Sequence, residues 1–261
     1  MRTPGLLDVL LPALALLSAL AGWEAAVRYF AIPHFILPAP SAVAAALYGN
    51  APMLLTSLAV TLSITFEALA AAVIGGVGLA IVFARWRMVE QALFPFAVIL
   101  LVTPIVAIAP LLLIYLSTGA AVLTCAFLVA FFPILANTAL GLRSADHNLL
   151  DLFQLCGASR WKQLWLLRLP SALPHFLGGL RIAGGLALIG AIVAEIAAGT
   201  AGQGAGLAFR IVEAGFRQRI PVMFAALFLI SAAGVLIYAA LAGLSHVFLR
   251  RWHDSARDRG G

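Results

Sequence analysis

The sequence predicts an all-α integral membrane protein with about six transmembrane helices. Two observations carry this prediction: 64% of the 261 residues are apolar and 10% charged, with a mean hydropathy of +1.08, and the apolar residues fall in runs close to bilayer length. A soluble domain is about 45–50% apolar and about 25% charged, so one globular core cannot bury this much apolar side chain. Six runs approach the roughly 20 residues that a helix needs to cross hydrocarbon: about 6–26, 58–84, 92–116, 119–142, 176–198 and 222–249. They leave no stretch for a large soluble domain and argue against a β-barrel. The expected organisation is an anchor helix with an outer interfacial segment (1–57), a transmembrane core (58–249) with a polar loop at 143–174, and a basic tail (250–261).

In chain order, Arg2, the Leu-rich run to Leu17 and Ala19-Leu20-Ala21 resemble a cleavable signal peptide. Asp8 interrupts that run and the apolar pattern continues past the triplet, which favours a retained anchor. A segment with Pro33, Pro38, Pro40 and Pro52 follows; Ser41 is expected to N-cap a short outer helix that Gly49-Asn50 ends. In the second span Ala68, Ala72, Gly76, Ala80 and Ala84 recur every fourth residue, as do Gly179, Ala183, Ala187 and Ala191 in the fifth. Each stripe opens a groove for a neighbouring helix backbone, which belongs either to this chain or to a second copy. Cys125, within the fourth span, and Cys156, in the polar loop, are expected as buried or semi-buried small apolar residues with no disulfide or metal role.

The net charge of +6 follows from topology and needs no nucleic-acid partner. With the N-terminus inside, Arg2, Arg85, Arg87, Arg143, Arg160, Lys162, Arg168, Arg250, Arg251, Arg257 and Arg259 fall on the inner side, against Arg28, Arg210, Arg217 and Arg219 outside. Both termini are therefore expected in the cytoplasm. Glu67, Arg181 and Glu195 stand inside spans, where an ionised group is expensive and points to function. Glu195 lies four residues beyond Ala191 on the small stripe, so it should face protein or a cavity; it is either a pathway or gate group or a solvated helix end. Glu67 carries the same two readings. Arg181 is about 21 Å from Glu195 along one helix, so the two cannot pair within it, and Arg181 is expected to snorkel inward.

The loop at 143–174 is the longest polar interruption. Asp146 can cap one helix and Gly157 end it, Ser159 can cap a second and Pro170 stop it. The resulting helix-turn-helix lies outside the bilayer and exposes Phe153, Trp161 and Trp165. That surface suits either docking of another protein or an amphipathic hairpin resting on lipid headgroups.

The pattern Asp151-x5-Gly157-x9-Leu167-x-Leu169-Pro170 resembles the EAA motif of the membrane subunits of binding-protein-dependent ABC importers. Gly157 and Leu169-Pro170 match and Leu167 is a conservative change, while Asp151 replaces the glutamate and Leu152 and Phe153 replace two alanines. Gly179-Leu180-Arg181-Ile182-Ala183, Val193-Ala194-Glu195, and Thr103-Pro104 through Ala109-Pro110 are also similar to that family, over roughly 57–249. The resemblance implies a type I ABC importer permease fold and a non-catalytic subunit of the bacterial inner membrane, forming a homodimer. It implies a cytoplasmic ATPase subunit docked on the loop and an extracytoplasmic binding protein that delivers solute. It gives Asp151, Phe153, Gly157, Ala158, Leu167, Leu169 and Pro170 to ATPase coupling, and leaves Glu195, Arg181 and Glu67 as pathway or gate candidates.

The single lysine, Lys162, follows Trp161, so no G-x-x-x-x-G-K-[ST] phosphate loop exists. ATP is expected on another chain, with no cofactor on this one. Gly199, Gly202, Gly204 and Gly206 read as a flexible outer loop rather than a dinucleotide site, and the five histidines lack ligand spacing. Within the family the chain looks most like the branch of nitrate, sulfonate, taurine, pyrimidine and riboflavin importers, and Thr103–Tyr115 leans to the pyrimidine or flavin side. The rival from another class is an ion-coupled secondary transporter using Glu67 or Glu195. A membrane scaffold would account for the small-residue stripes but not for the loop. N-terminal sequencing of the mature protein is expected to show a start well before Gly22; a start near Gly22 would establish cleavage.

Overall fold

The structure is a computed structural model that describes residues 6–199 and 204–257, with side chains described for 10–12, 14–199 and 204–249. The apolar runs become helices α1 (Leu6–Tyr29), α3 (Ala51–Arg85), α6 (Thr118–Arg143), α9 (Leu169–Ala198) and α11 (Ile220–Arg257). Shorter helices lie between them: α2 (Pro40–Gly49), α4 (Arg87–Val102), α5 (Ile105–Tyr115), α7 (His147–Leu155), α8 (Arg160–Gln163) and α10 (Leu207–Phe216). Among the described residues five segments are long and apolar enough to cross a membrane, and the bent pair α4–α5 makes six if it is counted as one span.

The third expected span, 92–116, is not straight: α4 and α5 meet at 101°. The break falls at Thr103-Pro104, where both residues are extended (φ −73°, ψ 124° and φ −64°, ψ 117°). The proline ring pushes its predecessor out of the helical region and offers no N–H to continue the ladder. At the other end of the chain the expected tail is a continuation of α11 as far as Arg257; residues 258–261 lie outside the described residues.

Helix α6 is the centre of the packing, with α3 on one flank and α9 on the other. The two small-residue stripes face it within one chain. Ala72, Gly76 and Ala80 of α3 and Ala183 and Ala187 of α9 are buried against Ala130, Ile134, Leu135 and their neighbours. Close approach is strict at several points. A Cβ on Gly76 would come within 2.8 Å of Ile134 Cγ2, and one on Gly190 within 2.9 Å of Ala126 Cα. Cys125 is fully buried in this seam, whereas Cys156 is exposed, because it occupies the turn after α7 outside the helical core.

Short α2 departs from its expected cap. Pro40, not Ser41, opens the helix, in the position where a fixed φ and a missing N–H cost nothing. Ser41 reaches Glu24 of α1 instead: its N–H donates to Oε2 at 3.0 Å and its hydroxyl to Oε1 at 2.8 Å. Glu24 also pairs with Arg28 at 2.6 Å.

Adjacent glycines of α9 supply a test. A Cβ on Gly179 would lie 2.7 Å from the Pro133 carbonyl oxygen and 2.8 Å from Asn137 Cβ, while one on Gly178 meets nothing. Gly179→Ala is expected to destabilise the protein by about 1–3 kcal/mol through overpacking. Gly178→Ala should be neutral or stabilising by up to about 1 kcal/mol. Thermal unfolding in detergent compares the two.

Candidate functional site

The helical hairpin after α6 is built as its sequence suggests. The Asp146 side chain accepts from the Asn148 N–H at 2.8 Å, capping α7, and the Ser159 hydroxyl accepts from the Lys162 N–H at 3.3 Å, capping α8. Between them Gly157 takes a left-handed φ of 68°. The Ala158 N–H returns to the Phe153 carbonyl and the Gly157 N–H to that of Gln154, both at 2.9 Å. This is a Schellman closure, which needs glycine at its left-handed position. Phe153, Gly157 and Ala158 thus shape the turn itself, and Phe153 is half-buried rather than exposed. The exposed apolar surface is instead Leu149, Leu152 and Leu155 of α7 with Trp161, Trp165 and Leu166. Asp151 is exposed beside it.

Pro170 does not stop the second helix. The Leu169 N–H bonds the Leu164 carbonyl five residues back, so Leu164–Arg168 forms a π turn that joins α8 to α9. Pro170 then sits at the first turn of α9, where the absent N–H leaves no gap. Leu164 and Leu167 are buried, with Leu164 packed against Phe83, Leu142 and Ala172; Leu169 and Pro170 are half-buried. The outcome is one rod, Arg160–Ala198, one end of which carries the hairpin surface and the other Glu195.

Glu195 is 3% exposed, so it is not a solvated helix end. The Thr61 hydroxyl of α3 donates to its carboxylate at 2.8 Å (Oε1), and the Ala208 N–H of α10 donates to Oε2 at 3.1 Å. The Leu207 N–H in turn donates to Thr61 Oγ1 at 2.8 Å. Residue 206 must be glycine here, because a Cβ would overlap the Glu195 carboxylate. The carboxylate and the hydroxyl together satisfy the first N–H groups of α10, whose end carries partial positive charge. One buried group therefore fastens α9, α3 and α10.

Glu67 is exposed midway along α3, on the face turned away from α6. Arg181 lies over the Tyr238 ring of α11, 5.8 Å from its centroid, with Nε buried and lacking a hydrogen-bond acceptor. It stacks sideways on a helix instead of snorkelling to the inner surface, and the structure does not bring Glu67, Arg181 and Glu195 together. Thr61 is the site residue outside the sequence candidates, although Ser57, Thr61 and Thr65 recur at a four-residue step, join the small stripe of α3 three residues before Ala68 and are all buried. That continuation was the available signal. The Glu90–Arg143 pair at 2.6 Å, tying α4 to the end of α6, had none.

The architecture defines a polytopic helical membrane protein: a bent helix pair, a close-packed triad of spans and a helical hairpin with an exposed apolar surface. The chain belongs to the family of binding-protein-dependent transport system inner membrane components, which matches residues 72–254. It is the permease subunit of an ABC importer, a class of non-catalytic membrane components. It is 34% identical to the riboflavin transport system permease protein of Chloroflexus aurantiacus, over 92% of this chain and 89% of that one. It is 33% identical to the formylaminopyrimidine transport permease protein of Halalkalibacterium halodurans, over 91% and 94%. The taurine transport system permease protein of Escherichia coli is 30% identical over 77% and 71%. In fold the chain is similar to the crystal structure of an amino acid ABC transporter with histidines, with a TM-score of 0.63, 16% identity, and coverage of 78% of this chain and 96% of that one.

Removing the buried acceptor tests the Glu195 arrangement. Glu195→Ala is expected to lower stability by about 2–5 kcal/mol, since it leaves buried donors unpaired and opens a cavity. Thr61→Val, which orphans the Leu207 N–H, should cost about 1–3 kcal/mol. Denaturation midpoints in detergent measure both.

Proposed function

We propose that this permease couples to a separate cytoplasmic ATPase subunit through the hairpin at 146–170, works as a homodimer with both termini inside, and admits a solute delivered by an extracytoplasmic binding protein. The observation that carries the reading is the rod Arg160–Ala198. Its inner end presents Trp161, Trp165 and Leu166 beside Leu152 and Leu155, a surface of the aromatic and aliphatic kind that protein interfaces use. Its outer end holds Glu195, clamped to α3 and α10. A displacement of the hairpin by a moving ATPase would travel along one continuous helix to the outer side, as rigid-body coupling requires. Asp151 and Gly157 are the exposed contact residues, while Leu167, Leu169 and Pro170 anchor the hairpin to the core. Nucleotide is bound by the partner.

The solute is a heteroaromatic compound of the riboflavin or pyrimidine type. Support comes from the two relatives named for such solutes, which align over about nine-tenths of their own length, against less than three-quarters for the taurine permease.

Gly157→Asp tests the coupling. A side chain at 157 meets open space within the chain, and aspartate is among the residues that best tolerate the left-handed region, so the protein should reach the membrane at normal level. Co-purification of the ATPase subunit and solute uptake are both expected to be lost. Normal uptake in that variant, or uptake that collapses with an uncoupler while ATP stays high, would favour the ion-coupled carrier.

A further inference from the structure

Three arginines line one cavity where the hairpin meets the end of α3, with Arg85 stacked over the Trp86 ring. Arg85, Arg160 and Arg168 line a cavity of about 490 Å³ together with Gln154, Gln163 and Trp161. No carboxylate lines it, and among the described residues none of the three arginines has an ion-pair partner. Such a cluster is a site for a phosphate or similar anion.

A second cavity lies next to it along α3, between α3 and α9. Val77, Gly78 and Ile81 of α3 face Leu169, Leu173 and Phe176 of α9 across an apolar groove, also about 490 Å³. Ile81 lies one turn from Arg85, and Leu169 follows Arg168. From Ile81 to Val73 the groove runs along α3 for about 12 Å, most of the roughly 15 Å of hydrocarbon in one leaflet. At its wall the Thr138 hydroxyl, 2% exposed, lacks a hydrogen-bond partner. Trp86, next to Arg85, stands exposed, as tryptophans do at headgroup level.

We infer that the basic cavity and the apolar groove form one binding site for an anionic phospholipid, with the phosphate held by Arg85, Arg160 and Arg168 and an acyl chain lying along α3 between Ile81 and Val73. Basic pockets between spans on the cytoplasmic side suit acidic headgroups. Placing this one on that side rests on the orientation proposed above. A lipid seated here would touch α3, the hairpin and the π turn at once, so it would stiffen the joint through which the hairpin drives α9.

The test uses the full chain in mild detergent, with lipid occupancy read by native mass spectrometry and stability by thermal midpoint. The probes are dioleoyl-phosphatidylglycerol, dioleoyl-phosphatidylcholine and inorganic phosphate. Phosphatidylglycerol is expected to bind more tightly than phosphatidylcholine, by about fivefold for each arginine engaged. The Arg85→Gln/Arg168→Gln variant should lose about 25-fold in phosphatidylglycerol affinity on the same scale, and the Lys/Lys pair should retain most of it. Gly78→Leu fills the groove from a position with open space around it and should weaken binding of both lipids, which keeps the proposal testable if the Gln pair does not fold.

Equal binding of the two lipids, or unchanged phosphatidylglycerol binding in either the Gln pair or Gly78→Leu, overturns the proposal. Equal stabilisation by inorganic phosphate alone would make this a free-anion site, and release of the lipid when the ATPase subunit binds would assign the arginines to that partner; either result also overturns it. Because occupancy is read without transport, a negative result leaves the permease reading standing, and a failure of ATPase co-purification leaves the lipid result standing.

Discussion

Inside hydrocarbon a backbone N–H or carbonyl without a partner costs several kcal/mol, and this fold is arranged around that constraint. Long helices meet it internally except at their ends. The short helices α2 and α10 cannot, and neither supplies its own capping side chain. In each case a glutamate from a long helix does the work: Glu24 of α1 accepts from the Ser41 N–H, and Glu195 of α9 accepts from that of Ala208. Two carboxylates that read as isolated charges in the sequence are thus caps supplied in trans. The same contacts tie each short helix to a span, so satisfying the backbone and placing the short helices are one event.

The triad of spans follows a different rule, close approach. Glycine and alanine at four-residue spacing let α3 and α9 settle on α6 until a single added methyl would collide with backbone. Lipid tails are as apolar as leucine, so burying apolar area drives little association here, and contact distance does. Such packing makes the triad rigid, which is the property the proposed coupling needs. The π turn at Leu164–Arg168 carries the rod into Pro170, and the helix continues through Pro174.

Proline meets opposite fates within this chain, and context decides which. At Thr103-Pro104 the helix breaks and turns by 101°; at Pro133 of α6 it continues. Residue preference is identical in the two places. What differs is the surrounding packing: Pro133 is buried between α3 and α9, while the 103–104 break lies on a lightly packed segment that can leave the helical path. Sequence pattern therefore located the prolines without distinguishing a kinked rod from a re-entrant pair.

Local chemistry in the sequence determined a good deal: the membrane class, the apolar runs, the small-residue stripes, and the hairpin with its caps at Asp146 and Ser159 and its left-handed Gly157. Each depends on residues a few positions apart, where propensity and periodicity act directly. Only tertiary structure decided which helix fills the stripes, why Glu195 is buried, that Ser41 answers Glu24, and that Arg85 and Arg168 share a cavity. Those pairings join residues from 13 to 146 positions apart, and nothing in a local pattern states which distant donor an isolated acceptor will meet. The physical reason is that a cap, a groove or an anion cavity is a property of two surfaces, and one stretch of sequence describes only one of them.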